Sequence, residues 1–449
     1  MPTQLTQSHP ATPRAASRPM RVAMLVANAG TGDARVMKEA EALAAAGHQV
    51  TVFGLAGRGL ATKEIVAGVR YRRCAEPHRA LLPGDSPVPE NELAPSRPGS
   101  GLVSAIKILL EPFVRHELMA ASFVGPVAAD APDIIHAHDF ETLPAALRAA
   151  KRCGARVIYD MHELEEGRHP GPGPLLKRWK MWIEGRAHRR IAAAITTSPS
   201  YAAHKASLYK IPEPTVVLNG PRIAAAAGPT LRERCGLGPE TPLAAYIGLV
   251  SAGRGIETLL SALAKVPGMH LAILGTVRPE MEPALLEARR ALGGRLHVLA
   301  PVPHAKVVSH IASADLGVCT IPGSCLSYEL CLPNKLLEMA LAGLPLLVAN
   351  TPELSRFVTK NRNGQSVEAT DPAAVAAGLM AVYAARLELA PAPAALAQMR
   401  ARYGWERQAA RLIDLYDAVA MAPRGVPAAM AQHALATVLR PVGYSLSGG

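Results

Sequence analysis

Apolar runs of strand length alternate with helical patterns along almost the whole chain, and this alternation restricts the fold more than any other feature of the sequence. The runs "RVAMLVA", "QVTVFGL", "DIIHAH", "RVIYDMH" and "AAITTS" form one series, and "LAAYIGL", "HLAILG", "RLHVLAPV", "LGVCTI" and "LPLLVAN" form a second. A strand joined through a helix to the next strand is a βαβ unit, so each series predicts a parallel sheet with helices packed on its faces. Between the two series the stretch "IPEPTVVLNGPRI" supplies a strand-like piece and a Pro/Gly-rich linker, which reads as an interdomain hinge. At 449 residues the chain is long for one core, and two domains are expected.

Composition removes several classes of function. Apolar residues make up 49% and charged residues 19%, as in a folded globular protein. The excess of 48 Lys and Arg over 36 Asp and Glu, +12 in all, attracts phosphates, anionic lipid or nucleic acid alike. Nucleic acid is disfavoured because five Phe and three Trp do not provide interleaved aromatic and basic residues for base stacking. Six scattered cysteines without a Cys-x-x-Cys pair indicate neither a disulfide framework nor a zinc site. The N-terminal residues 1–19 lack the apolar core of a signal peptide, and charges such as Lys107 and Glu111 interrupt the later apolar runs. A cytoplasmic protein is expected, with disorder in residues 1–19, a mobile Pro/Gly/Ser-rich loop over 78–101, and an irregular tail over 423–449.

The loop "NAGTGDARV" after the first strand raises the question of a dinucleotide site. Gly30 and Gly32 fit the glycine fingerprint, but Arg35 stands where a third glycine belongs, and "QVTVFGLAGRG" closes the second strand without an acidic residue for a ribose. NAD is therefore disfavoured. The glycines suit either a plain tight turn or a helix N-terminus whose free N–H groups face a sugar or phosphate oxygen.

In the second series "CLPNKLLEMALAGLPLLVAN" starts a helix at Pro333 and Asn334 and stops it at Gly343. Lys335 and Glu338 then share one face of its first turn. The N-terminal dipole and the Lys335 charge favour an anion, while Glu338 can accept hydrogen bonds from paired hydroxyls such as those of a ribose. An ordinary exposed Lys–Glu pair fits the same spacing. In "YIGLVSAGRGIETLLSAL" a strand, a glycine turn with Gly248, Gly253 and Gly255, and a helix surround Arg254, whose planar fork suits a diphosphate.

The order of these pieces resembles the group 1, family-4 retaining glycosyltransferases. The likeness runs over most of residues 20–420. In the first half it rests on "GDARVMKEAEALAAAGHQVTVFG", "PDIIHAHD" and "VIYDMHE". In the second it rests on "GRGIETLLSAL", "VPHAKVVSHIASADLGV", "LPNKLLEMALAGLPLL", "NRNGQSVEATDPAAVAAGL" and "YGWERQAARLIDLY". The resemblance implies an α/β GT-B fold, two facing Rossmann-like domains with a cleft between them and a C-terminal helix returning toward the first. The expected acceptor-side domain covers 20–205 and the linker 206–240. A nucleotide-sugar domain over 241–398 and a closing helix over 399–422 follow.

The implied activity moves a sugar from a nucleotide diphosphate to an acceptor hydroxyl, in surface polysaccharide or glycoconjugate assembly, without a cofactor or metal. His138, Arg254 and Lys335 are implied to be catalytic. Gly30, Gly32, Gly248, Gly255, Asn334, Lys335 and Glu338 are implied to bind the donor, and Asp33, Arg35, Asp139, Asp160, His162 and Glu163 to lie on the acceptor side. The partners are a nucleotide sugar and a glycan, lipid-linked or small-molecule acceptor. Two positions depart from the family: Leu249 stands where members often carry Arg, and Leu330 stands where the first of two paired glutamates belongs, with Glu329 one residue away. A GT-B epimerase and a catalytically inactive nucleotide-sugar-binding protein are the alternatives.

Residues 174–195 add a membrane expectation. Leu175, Leu176, Trp179, Trp182 and Ile183 fall at helical spacing amid Lys177, Arg178, Lys180, Arg186, Arg189 and Arg190, as in a basic helix lying on an anionic bilayer. An aromatic stripe packed on the first domain's sheet fits the same pattern.

Overall fold

Strands whose residues are buried on both faces need helices on both faces, and the structure supplies them in two separate sheets. The computed structural model describes residues 18–423 except 58, 76–101, 169–170, 172 and 226–227, and only the backbone of 102–110. The expected tails, apart from residues 18, 19 and 423, and the loop 78–101 lie outside the described residues.

The first sheet contains β1 (Arg21–Leu25), β2 (Gln49–Leu55), β3 (Lys63–Val66), β4 (Val69–Cys74), β5 (Ile134–His138), β6 (Arg156–Met161), β7 (Ala193–Thr196) and β8 (Thr215–Val216). Its order is β3-β4-β2-β1-β5-β6-β7-β8, parallel except for the β3–β4 pair. The second sheet contains β9 (Leu243–Ile247), β10 (His270–Leu274), β11 (Leu296–Leu299), β12 (Leu316–Cys319), β13 (Leu346–Ala349) and β14 (Gly364–Val367). It is ordered β11-β10-β9-β12-β13-β14, with every pair parallel. All residues of β5, β9 and β13 are buried.

Strand order reverses beside β1 in the first sheet and beside β9 in the second. Open α/β sheets form a crevice at such points, beyond the carboxyl ends of the strands. The loops after β1, β5, β6 and β9 are thereby brought to one place.

Several elements differ from the sequence expectation. The hairpin β3–β4 turns at Ala67 and Gly68, both at positive φ, and its charged sequence "KEIVAGVRYRRC" hides the strand pattern. Thr215–Val216, placed by the sequence in the linker, instead pair with β7 as the last strand of the first sheet. The expected closing helix is two helices, Pro393–Tyr403 and Trp405–Met421, separated at Gly404. The second helix returns to the first domain, where Leu412, Leu415, Tyr416 and Val419 join Val36, Ala40 and Leu43 in one core. The Tyr416 hydroxyl also lies 2.8 Å from His136 Nδ1.

Leu415 is fully buried, so Leu415→Ala is expected to destabilise the protein by about 2–5 kcal/mol. Urea unfolding checks this; an unchanged midpoint would show that the closing helix contributes nothing to the first core.

Candidate active site

The cleft between the sheets encloses about 820 Å³ and is lined from both domains. On the second domain, β9 ends in a turn in which Gly248 has φ +100° and Gly255 has φ +76°. A Cβ on Gly255 would collide with the Thr320 carbonyl, so the turn requires glycine there. Gly248, Leu249 and Arg254 line the cleft. Arg254 forms no ion pair with a described residue, its Nε is buried without a hydrogen-bond partner, and its guanidinium lies 6.0 Å from the Tyr328 ring centroid.

The helix Asn334–Leu341 begins after Pro333 and presents Asn334, Lys335 and Glu338 to the same cleft. Lys335 is 6% exposed; its Nζ donates to the Tyr246 hydroxyl at 2.6 Å and lies 3.9 Å from that ring's centroid. Burial lowers its pKa to about 8, and the nearby Arg254 charge acts in the same direction. Burial raises the Glu338 carboxyl, against the pull of Lys38 and Lys335. This wall thus holds two cations with no carboxylate bonded to either.

The first-domain wall is neutralised from within. Asp33 caps the helix Ala34–Ala45 by accepting from the Arg35 and Val36 N–H groups, both at 3.2 Å. Those N–H groups are therefore occupied, which differs from the expectation of free donors facing a ligand. Gly32 lines the cleft, whereas Gly30 lies against Val52 and Tyr71 outside the lining. Arg35 reaches the lining but is 3% exposed. Its guanidinium donates to Asp160 at 2.7 and 3.0 Å and to the Val217 carbonyl at 2.9 Å, and lies 3.0 Å from Glu39. Burial alone would raise Asp160; Arg35 overrides it and holds the carboxyl well below its ordinary range.

The histidines lie at different depths. His138 is 1% exposed, is absent from the lining, and has Nδ1 3.4 Å from Asp160. His136 stacks on it at 4.3 Å between centroids. His162 packs edge-on against His138 at 5.6 Å and does line the cleft. Burial lowers its pKa to about 4, so the ring is neutral near pH 7. Its Nδ1 lies 3.2 Å from the Asp139 carboxylate, which also accepts the N–H groups of His162 and Glu163 at 3.2 and 3.1 Å. Asp139 makes these bonds from φ +56°, a left-handed conformation that costs a non-glycine residue on the order of 1 kcal/mol. Glu163 reaches the lining, while Asp139 and Asp160 support the wall from behind.

Among the described residues Glu39, His136, His138 and Asp160 form one buried cluster with ligand atoms within 4.8 Å of one another. The Arg35 guanidinium already contacts both carboxylates and supplies the positive charge a metal would bring. Sequence reasoning missed Tyr201, Asn219, His304, Ser327 and Tyr328, which also line the cleft. Nothing in their local pattern marks them, because non-local packing brings them there.

Residues 30–221 match the model of a glycosyl transferase 4-like domain, and residues 241–385 match that of glycosyl transferases group 1. The chain belongs to the group 1 glycosyltransferases of the GT-B fold. Both matched models are transferase models, and the epimerase and inactive-protein alternatives are not favoured. A curated relative, the glycogen synthase of Mycobacterium tuberculosis, is 26% identical over 76% of this chain and 79% of its own. Among solved structures, sucrose-phosphate synthase of Thermosynechococcus elongatus aligns with a TM-score of 0.69 at 18% identity, over 88% of this chain and 98% of its own. Anabaena HepE in complex with UDP and glucose aligns with a TM-score of 0.60 at 14% identity, over 88% and 99% of the two chains.

If Lys335 acts as a cation, kcat/KM of this glycosyltransferase falls as pH rises through about 8, where the free enzyme loses that proton. The descending limb should vanish in Lys335→Arg, since a guanidinium stays charged. Arg254→Ala and Lys335→Ala should each cost about 2.7–4 kcal/mol of transition-state stabilisation, read from kcat with folding intact.

Proposed function

We propose that this glycosyltransferase moves a sugar, with retention of anomeric configuration, from a nucleoside diphosphate to an acceptor hydroxyl in surface polysaccharide or glycoconjugate assembly. The observation that carries this reading is the pair of unneutralised cations, Arg254 and Lys335, beside Glu338 at a helix start. A departing diphosphate develops negative charge, and preorganised cations lining the cleft stabilise it without reorganising. Glu338 accepts the ribose hydroxyls. Leu249 leaves the phosphate subsite with Arg254 and Lys335 as its cations. His138 acts from behind His162, while Asp33 and Glu163 face the acceptor hydroxyl. The reaction needs no metal, because the cations already provide the charge that a divalent ion would supply.

A panel of UDP, GDP and ADP tests the donor class by thermal stabilisation: a ligand that binds only the folded state raises its melting temperature. One of them should stabilise the protein, and Glu338→Ala should abolish most of that shift. Activity should persist in excess EDTA; loss with rescue by magnesium or manganese would overturn the metal-independent reading.

We further propose a peripheral contact with the inner face of the membrane through 174–195. Among the described residues no helix is long and apolar enough to cross a membrane. In the helix Pro174–Ala187 Trp179 packs against Phe113, His116 and Phe140, and Ile183 joins the same core. Lys180, which the sequence counts with the basic face, is instead buried against Glu165 at 2.7 Å and Glu141 at 3.1 Å. Leu175 and Trp182 remain 59% and 56% exposed, beside exposed Arg178, Arg186, Arg189 and Arg190. Co-sedimentation should require anionic vesicles, weaken with salt, and fall when the last three arginines become Gln. Equal partitioning onto neutral vesicles would overturn the contact.

A further inference from the structure

The short helix Leu326–Leu330 and its flanks supply Ser327, Tyr328 and Cys331 to the second-domain wall, next to the diphosphate cations. A helix of five residues does not sustain itself, so its position must be imposed by its contacts. It packs near the helix Pro352–Asn361 of its own domain, but among the described residues the hydrogen bonds that reach it from elsewhere in the chain come from the first domain. The Tyr201 hydroxyl donates to the Ser327 carbonyl at 2.8 Å and lies 2.8 Å from Ser327 Oγ. Ser198 Oγ donates to the Leu330 carbonyl at 2.8 Å, and the Ser327 N–H donates to the Gly167 carbonyl at 3.1 Å. Tyr201 is only 3% exposed. The approach leaves no room at Gly167, where a Cβ would fall 2.7 Å from Leu326 Cβ and 3.1 Å from Ser327 N.

We propose that Tyr201, together with Ser198 and Gly167, is a positioning element of the first domain that builds the donor-sugar wall of the second. The sugar subsite is then complete only when the two domains are closed. The diphosphate subsite depends on them less, because Arg254, Lys335 and Glu338 all belong to the second domain and none of them bonds to Tyr201, Ser198 or Gly167; the one link is the Arg254 guanidinium, 6.0 Å from the Tyr328 ring centroid. The inference rests on the nucleotide-sugar reading above.

The test is Tyr201→Phe in the full chain, which keeps the ring and removes the hydroxyl. The readouts are the Kd of UDP, GDP or ADP, whichever stabilises the wild type, the KM of the hexose conjugate that is turned over, and amide exchange of residues 326–331. Losing one such bond should raise the KM by about two- to tenfold and speed exchange of the segment, while the diphosphate Kd stays within about twofold, below the loss expected for a hydrogen bond. Gly167→Ala presses on the same contact from the opposite side; it should give the same split, and decides alone if Tyr201→Phe does not fold. Unchanged KM and exchange would overturn the inference, as would a diphosphate Kd that rises in step with KM, since that marks a general loss of structure. Failure of the wild type to bind any of the three diphosphates would overturn the nucleotide-sugar reading instead.

Discussion

The buried Arg35–Asp160 ion pair ties the architecture of the first domain together. Arg35 sits on the helix after β1, Asp160 at the end of β6, and the same guanidinium holds Glu39 and the Val217 carbonyl. His136 and Tyr416 extend the contact to the closing helix. Burying these charges is costly, and the pair contributes little net stability against an apolar substitute. Removing one partner strands the other, however, and such an uncompensated buried charge costs about 3–5 kcal/mol. The pair therefore fixes where the loops after β1, β5 and β6 meet, more than it adds to stability. Lys205 does similar service at the far side, bonded to Glu184 at 2.9 and 3.0 Å and to Glu166 at 3.0 Å.

The two walls of the cleft use charge in opposite ways. Among the described residues of the first domain, the buried cations Arg35, Lys180 and Lys205 each have carboxylate partners. In the second domain Lys335 is buried against the Tyr246 ring and hydroxyl and the Arg254 guanidinium lies over Tyr328, with no ion pair to a described carboxylate at either. A cation held without a counterion raises the energy of the empty protein, and an anionic ligand relieves it. The depressed Lys335 pKa expresses the same strain, because desolvation and Arg254 both oppose its charge. An anion in the cleft would reverse that shift and strengthen its own binding.

Asp139 links these walls to backbone geometry. Its carboxylate organises the His162–Glu163 turn while its backbone holds a left-handed conformation, so local strain is exchanged for three fixed contacts at the cleft. The turn continues to Gly167, where the second domain's short helix docks. Acceptor side and donor side are therefore connected through one stretch of chain.

Much of this architecture was legible in the sequence. The period of the apolar runs depends on local backbone geometry, and ten strands across the two sheets follow it. Lys335, Glu338 and Arg254 were also legible, because a helix start and a glycine turn mark them within a few residues. The charged hairpin β3–β4 and the edge strand β14 carry too weak an apolar pattern to be read, and β8, read only as a strand-like piece of the linker, is placed in the first sheet by its pairing with β7. The depth of a side chain is likewise not local: the sequence places His138 and His162 at adjacent strand ends, and only the packing of β5 against β6 and the closing helix puts His162 at the cleft and His138 behind it. Tyr201 and Gly167 meet Ser327, and Ser198 meets Leu330, across 126 residues or more in the chain, so tertiary structure alone decides those contacts. Periodicity thus determined the sheets and their order of appearance, whereas burial and interdomain approach, which sum over distant residues, were decided by the fold.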